Sequence, residues 1–182
     1  MSAARRAAAG GVIGPAAFAF AWWAVGRRRP GYSPVTEPIS RLAAHRSSAR
    51  PAMTAGFAGY AAGVGAMAAG VAGSDPWTAA ALAANSASMV AVAALPLDAR
   101  YGDTPHVLAA TGAYVSLAVT PVLAALAARR RPAPVHAAVA AGTGALLVLS
   151  QAVPSRRGLF QRMGLSLGHL WIVARAIGAM AG

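Results

Sequence analysis

Six apolar stretches, each close to the length of a membrane-crossing helix, take up most of this 182-residue chain. A helix needs about 20 apolar residues to cross the hydrocarbon layer. Segments of that length run over about 8–26, 52–73, 77–97, 107–128, 134–153 and 159–180. Between them, at 27–30, 74–76, 98–105, 129–134 and 154–158, stand Pro, Gly or charge, which punctuate helices. Composition agrees, with 57% hydrophobic and 11% charged residues, where an ordinary soluble domain carries about 25% charged. A soluble fold this small could not hide so much apolar surface. The expected fold is therefore all-α: a six-transmembrane-helix bundle over 1–182, one integral membrane domain with no soluble domain. A soluble enzyme, a disordered chain and a disulfide scaffold are excluded. With no cysteine, disulfides, thiolate metal sites and thiol nucleophiles are excluded as well.

All 16 basic residues are arginine, and the formal net charge is +12. In a soluble protein that charge would suggest nucleic acid. Here the arginines lie between apolar stretches, where they orient helices, and no nucleic-acid partner is expected. Alternating helices put 74–76, 129–134 and both termini on one side of the membrane, side A. Side B receives 27–51, 98–106 and 154–158. Side A carries Arg5, Arg6, Arg129, Arg130 and Arg131. Side B carries Arg27, Arg28, Arg29, Arg41, Arg46, Arg50, Arg100, Arg156 and Arg157. The positive-inside rule then makes side B cytoplasmic in a cell inner membrane and places the N-terminus outside. The first segment has the flanks of a retained span rather than a cleaved signal. It ends in Trp22-Trp23, an interfacial signature, followed by Arg27-Arg28-Arg29.

The longest connection, 27–51, begins with a proline-rich stretch that favours extended backbone. A short interfacial helix is expected over 40–50, with Arg41, Arg46 and Arg50 near head groups. Gly10 with Gly14, Gly59 with Gly63 and Gly164 with Gly168 have the G-x-x-x-G spacing. In a chain so rich in small residues, this spacing points first to packing within the bundle.

Polar groups inside a membrane segment are costly and face a protein interior or a cavity. Most candidates here gather on side B. Glu37, Ser40 and His45 stand in the first connection. Asp98 and Asp103 follow the third span, and His106 opens the fourth. Gln151 closes the fifth; Gln161, Arg162, Ser166 and His169 occupy the first part of the sixth. Arg162, Ser166 and His169 share one helix face by their spacing. His106 shares a face with Ala110, Ala113, Tyr114 and Leu117. Asn85 and Ser88, mid-helix, are read as interhelical hydrogen bonders, and Arg175 as a side chain reaching the side-A interface.

Four readings of the side-B cluster stand open. Arg162 could pair with Glu37, Asp98 or Asp103 and tie connections together. A carboxyl in an apolar cavity could stay protonated as a general acid, with a histidine relaying the proton. His106 and His169 with Asp98 or Asp103 could hold zinc, though no dense metal-binding spacing supports it. The cluster could also bind or conduct without chemistry.

Three short motifs, in order, resemble the bacterial membrane family called domain of unknown function 998. They are Tyr32-Ser33-Pro34-Val35 with Ile39-Ser40-Arg41-Leu42; Leu95-Pro96-Leu97-Asp98 with His106; and Gly158-Leu159-Phe160-Gln161-Arg162 with Trp171. The resemblance covers nearly the whole chain. It implies a six-helix membrane bundle and no settled activity. In that family an acidic residue often follows the serine; here Arg41 holds that place, and the acid is Glu37. The layout is loosely similar to the intramembrane metal-dependent hydrolases of the ceramidase and adiponectin-receptor superfamily. The paired histidines expected there are missing, since Leu165 and Val173 flank His169 at four residues. A looser likeness, in size and placement of acids, is to small membrane-bound terpene cyclases.

The functional expectation is a polar cavity on side B that binds a lipid or isoprenoid substrate and processes it by acid–base chemistry. Glu37 or Asp98 would donate the proton, and His106 and His169 would relay or orient it. Ser40, Asp103, Gln161, Arg162 and Ser166 would contact substrate. No metal or other cofactor is expected. Membrane lipid is the expected partner, beside a second copy or another membrane protein. The rival from another class is a non-catalytic structural or accessory membrane protein, with a small transporter as a further alternative.

Overall fold

In the computed structural model, residues 2–127 and 134–181 are described. The helices are α1 (Ala3–Ala8), α2 (Gly10–Arg28), α3 (Arg50–Val71), α4 (Pro76–Ala94), α5 (Thr104–Ala127), α6 (Pro134–Ala152) and α7 (Arg157–Ala181). Six helical segments among the described residues are long and apolar enough to cross a membrane; α1 and α2 together form the first. The bundle is all-α, as the sequence leads one to expect. Arg129, Arg130 and Arg131 lie outside the described residues.

Local chemistry sets the helix ends. The Ser2 hydroxyl accepts from the Arg5 amide at 3.3 Å and caps α1. Asp75 caps α4: its Oδ1 accepts from the Thr78 amide at 3.1 Å and its Oδ2 from the Thr78 hydroxyl at 2.6 Å. Pro76 follows at the first helical position, where its missing N–H is not needed. The Leu95-Pro96 pair stops α4 at Ala94, three residues short of the expected end at 97.

Each helix from α2 to α7 packs on its neighbours in the chain, and α7 returns against α2, closing a ring. Phe18, Tyr60, Met67, Leu82, Leu117 and Ile172 fill its centre. Large apolar side chains such as Phe20, Leu108, Val148 and Leu170 point outward. An outer surface of this kind suits contact with lipid rather than water. Close approach comes from glycine: a Cβ on Gly63 would stand 2.8 Å from the Gly14 Cα, so α2 and α3 touch backbone to backbone. Gly164 and Gly168 abut Leu147 and Leu117. Gly59 alone of the six faces open space.

Asn85 ties the middle of the bundle. Its Oδ1 accepts from the Tyr60 hydroxyl at 2.7 Å, and its amide donates to the Ala113 carbonyl at 2.8 Å and the Ser116 hydroxyl at 3.1 Å. One side chain thus joins α3, α4 and α5. On side A, Arg175 reaches Asp75 at 3.7 Å with about half of its side chain exposed. There the Trp171 indole also donates to His136 at 2.9 Å.

The first connection departs from expectation. No interfacial helix runs over 40–50; a 3-10 turn covers only Ile39–Ala43. Ile39, Ser40, Leu42, Ala43 and Ala44 are buried, so the segment plugs the side-B end of the ring instead of lying on head groups. Hydrogen bonding explains the early stop. The His45 amide donates across to the Leu97 carbonyl at 2.8 Å, and the Ser47 hydroxyl donates to the Leu42 carbonyl at 2.7 Å.

Candidate functional site

The three short motifs, Trp171 apart, meet at the side-B end and hold the plug in place. The Gln161 carbonyl oxygen accepts from the Ile39 amide at 2.7 Å. Arg162 donates to the carbonyls of Pro34 at 2.7 Å, Glu37 at 3.1 Å and Gly158 at 2.9 Å, and also to the Tyr32 hydroxyl. The Leu159 amide donates to the Val35 carbonyl at 2.9 Å. Position 158 must be glycine for this contact, because a Cβ there would stand 2.6 Å from the Pro34 carbonyl oxygen. From the other side, Arg41 pairs with Asp98 at 2.9 Å. The plug therefore hangs between the start of α7 and the turn after α4.

Beside the plug lies a cavity of about 200 Å3. Ser40, His106, Tyr114, Gln151, Arg157 and Gln161 give it a polar lining, and Val107 and Ala110 give it an apolar flank. His106 is its most defined group. Its Nδ1 lies 2.7 Å from the Leu95 carbonyl oxygen. A carbonyl only accepts, so Nδ1 carries the hydrogen, and in the neutral ring Nε2 keeps its lone pair. That Nε2 is buried and has no hydrogen-bond partner, on a residue only 3% exposed. Gln161 also spans to the Tyr114 hydroxyl, so its amide is used at both ends. Arg157 donates through Nε to the Ser150 carbonyl at 3.3 Å.

Three of the residues expected from sequence, Ser40, His106 and Gln161, surround this one cavity. The others stand elsewhere. The Glu37 carboxylate accepts from the Ser33 amide at 3.0 Å within the loop. Asp98, in a left-handed turn with φ of 59°, is exposed, and its amide donates to the Asp103 carboxylate at 2.8 Å. Neither acid lines the cavity. Arg162 finds backbone carbonyls, not a carboxylate. Its guanidinium also lies 5.3 Å from the Trp22 ring centre and 5.6 Å from that of Tyr32. Ser166 and His169 open on a different hollow between α2 and α7. The His169 ring packs 4.8 Å from Tyr60 and 5.9 Å from Phe18. Among the described residues, no three His, Asp or Glu side chains converge as a metal site would need.

Sequence reasoning left Tyr114 and Arg157 out of the site. Tyr114 carried a signal, since it lies two helical turns beyond His106 on the same face. Arg157 carried none beyond its charge. The Tyr32 hydroxyl sits outside the spans, where burial raises its pKa above the ordinary value while the Arg162 guanidinium pulls it back.

A family model described as "protein of unknown function (DUF998)" matches residues 12–178. No curated protein and no solved structure matches the chain.

Proposed function

The chain belongs to the DUF998 family, and from that premise we propose that this multi-pass protein binds the polar end of a lipid or isoprenoid in the His106 cavity. The membrane would be the cell inner membrane, with side B facing the cytoplasm, as the arginine distribution suggests. One observation carries the reading: a buried imidazole beside the cavity, its Nδ1 held by the Leu95 carbonyl and its buried Nε2 without a partner. Burying a polar atom without a partner is unfavourable. A ligand hydroxyl donating to Nε2 would satisfy it. Gln161, Tyr114 and Arg157 supply donors around the same space for phosphate or carbonyl oxygens.

If turnover occurs, the geometry favours His106 as proton acceptor. A neutral imidazole with a lone pair is a base, and a ligand O–H within hydrogen-bond reach would be its substrate group. Asp98 is engaged by Arg41 outside the cavity, and Glu37 by its own loop. The reading therefore asks less of them than of His106. His169, in another hollow, would not share this proton.

A second reading, an accessory protein without turnover, draws on the clasp itself. The hydrogen bonds from Gln161 and Arg162 serve to hold the plug, which is a structural task.

Native mass spectrometry of the full chain in mild detergent, with wild type beside His106→Gln and Asp98→Asn, tests the first reading. A co-purifying lipid should be retained by wild type and Asp98→Asn and lost from His106→Gln, with helix content unchanged in all three. A wild type that carries no lipid, or equal retention in His106→Gln, would move the assignment to the accessory role.

A further inference from the structure

Two hollows on the α2–α7 side of the bundle are not used by the His106 reading, and they share a wall. The first, about 390 Å3, lies at the side-B end between the end of α2 and the loop after it. Arg27, Arg29, Arg162, Tyr32, Trp22 and Trp23 line it. The second, about 420 Å3, runs along the α2–α7 seam past Ala16, Ala19, Leu170 and Val173. Trp22 lines both. The two hollows thus meet at one indole, a polar chamber above and an apolar groove below.

The upper chamber is cationic, and one acid, Glu37, stands near its Tyr32 without lining the space. Three arginines line it and no acidic residue does. Glu37 is turned onto the Ser33 amide. Arg162 is the most deeply placed, at 8% exposed. Its terminal nitrogens meet three carbonyls and the Tyr32 hydroxyl, while its Nε is buried with no partner. Carbonyl dipoles solvate a guanidinium but leave its net charge in place, and buried charge is unfavourable without an opposite charge. Arg27 rests over the Trp23 ring at 4.6 Å, at the level where interfacial tryptophans sit. Arg29 reaches the Arg41 carbonyl at 2.6 Å, which fixes its position beside the chamber. Arginine is the side chain best shaped to hold phosphate oxygens.

The lower groove has the complementary chemistry. Its walls are mainly small and branched apolar side chains, on a face where Leu170 is 66% exposed to the surroundings of the bundle. Phosphate alone would use only the chamber, and a neutral hydrocarbon only the groove. We infer that the pair forms one site for an anionic phospholipid, its phosphate against Arg27, Arg29 and Arg162 and one acyl chain along the α2–α7 groove beneath Trp22. This site is separate from the His106 cavity and does not depend on it.

The test measures lipid binding by the full chain in detergent, with phosphatidylglycerol, phosphatidylcholine of matched chains, and soluble glycerol phosphate as probes. Arg162→Ala would also release the loop, so the reporters are Arg27→Gln in the chamber and Ala16→Phe, at an exposed position, in the groove. Wild type should prefer phosphatidylglycerol to phosphatidylcholine by about fivefold or more, the effect of one or more arginines near anionic lipid. Arg27→Gln should weaken phosphatidylglycerol by about fivefold and phosphatidylcholine by less, because choline already offsets the charge of that lipid's phosphate. Ala16→Phe should weaken both lipids. Equal binding of the two lipids, or no effect of Ala16→Phe, overturns the proposal. So does glycerol phosphate binding as tightly as the lipid, which would leave a bare anion site.

Discussion

Gly63→Ala adds one methyl group where α2 and α3 touch, and Gly59→Ala adds the same methyl group one turn earlier on the same helix. The two substitutions share their intrinsic term: alanine favours a helix interior over glycine by up to about 1 kcal/mol. They differ in what the new carbon meets. At Gly63 it would stand 2.8 Å from the Gly14 Cα and 2.9 Å from the Gly14 nitrogen, both backbone atoms, against an ordinary contact of 3.4–4 Å. Backbone cannot rotate aside as a side chain can. The helices must part by a large fraction of an ångström, and the packing of Phe18 against Phe57 and Tyr60 loosens with them. Overpacking of this kind costs about 1–3 kcal/mol. Nothing lies within 4 Å of a Cβ at Gly59. Gly59→Ala should therefore leave stability unchanged or raise it, and Gly63→Ala should stand about 1–3 kcal/mol below it. Unfolding by sodium dodecyl sulfate in mixed micelles, followed by circular dichroism, measures the difference. Two variants within about 0.5 kcal/mol of each other would refute direct backbone contact between α2 and α3.

Three further outcomes follow from the same contacts. Asn85→Leu removes two interhelical donors and leaves the Tyr60 hydroxyl without its acceptor. Membrane hydrogen bonds average about 0.6 kcal/mol each, so a loss of about 1–2 kcal/mol is expected in the same unfolding assay, and no loss would remove Asn85 from its bridging role. Asp98→Asn breaks an ion pair whose side chains are 43% and 47% exposed; the cost should stay below about 1 kcal/mol and vanish at high salt. A larger, salt-insensitive loss would contradict that surface placement. For Tyr32, burial holds the phenol protonated beyond its ordinary pKa of 10.0. A pKa raised on folding contributes stability that is fully present below pH 10 and is lost as pH climbs through the raised value. Stability measured from pH 9 upward should therefore fall less in Tyr32→Phe than in wild type; parallel curves would refute the burial of that hydroxyl.

The functional site was legible in residue type more than in grouping. Ser40, His106 and Gln161 stood out because polar side chains in or beside a membrane span are costly and need a protein partner, and the fold brings all three to one cavity. Asp98 and Glu37 stood out for the same reason, yet a turn and a loop turn their carboxylates to other partners. A sequence records that an acid is near a membrane face but not which way its carboxylate points. Arg162, Ser166 and His169 share a helix face, but Arg162 lies against the plug and the other two against the α2–α7 groove. The length of α7 separates what its periodicity aligns.

Hydropathy by itself determined the number of spans, their order and their approximate ends, because crossing hydrocarbon is a demand each helix meets alone through its length and apolar content. Proline and capping residues placed the breaks for the same local reason. Only the tertiary structure decided which glycines face a neighbour. Gly59 and Gly63 are alike in sequence, and one faces open space while the other touches Gly14. It alone turned 39–45 inward as a plug, because the partners of that segment, Gln161 and Leu97, arrive from distant parts of the chain. It alone fixed the tautomer of His106, since the deciding carbonyl belongs to Leu95 at the end of another helix. Local chemistry shapes each helix, but a site depends on distances between helices, and no single segment contains them.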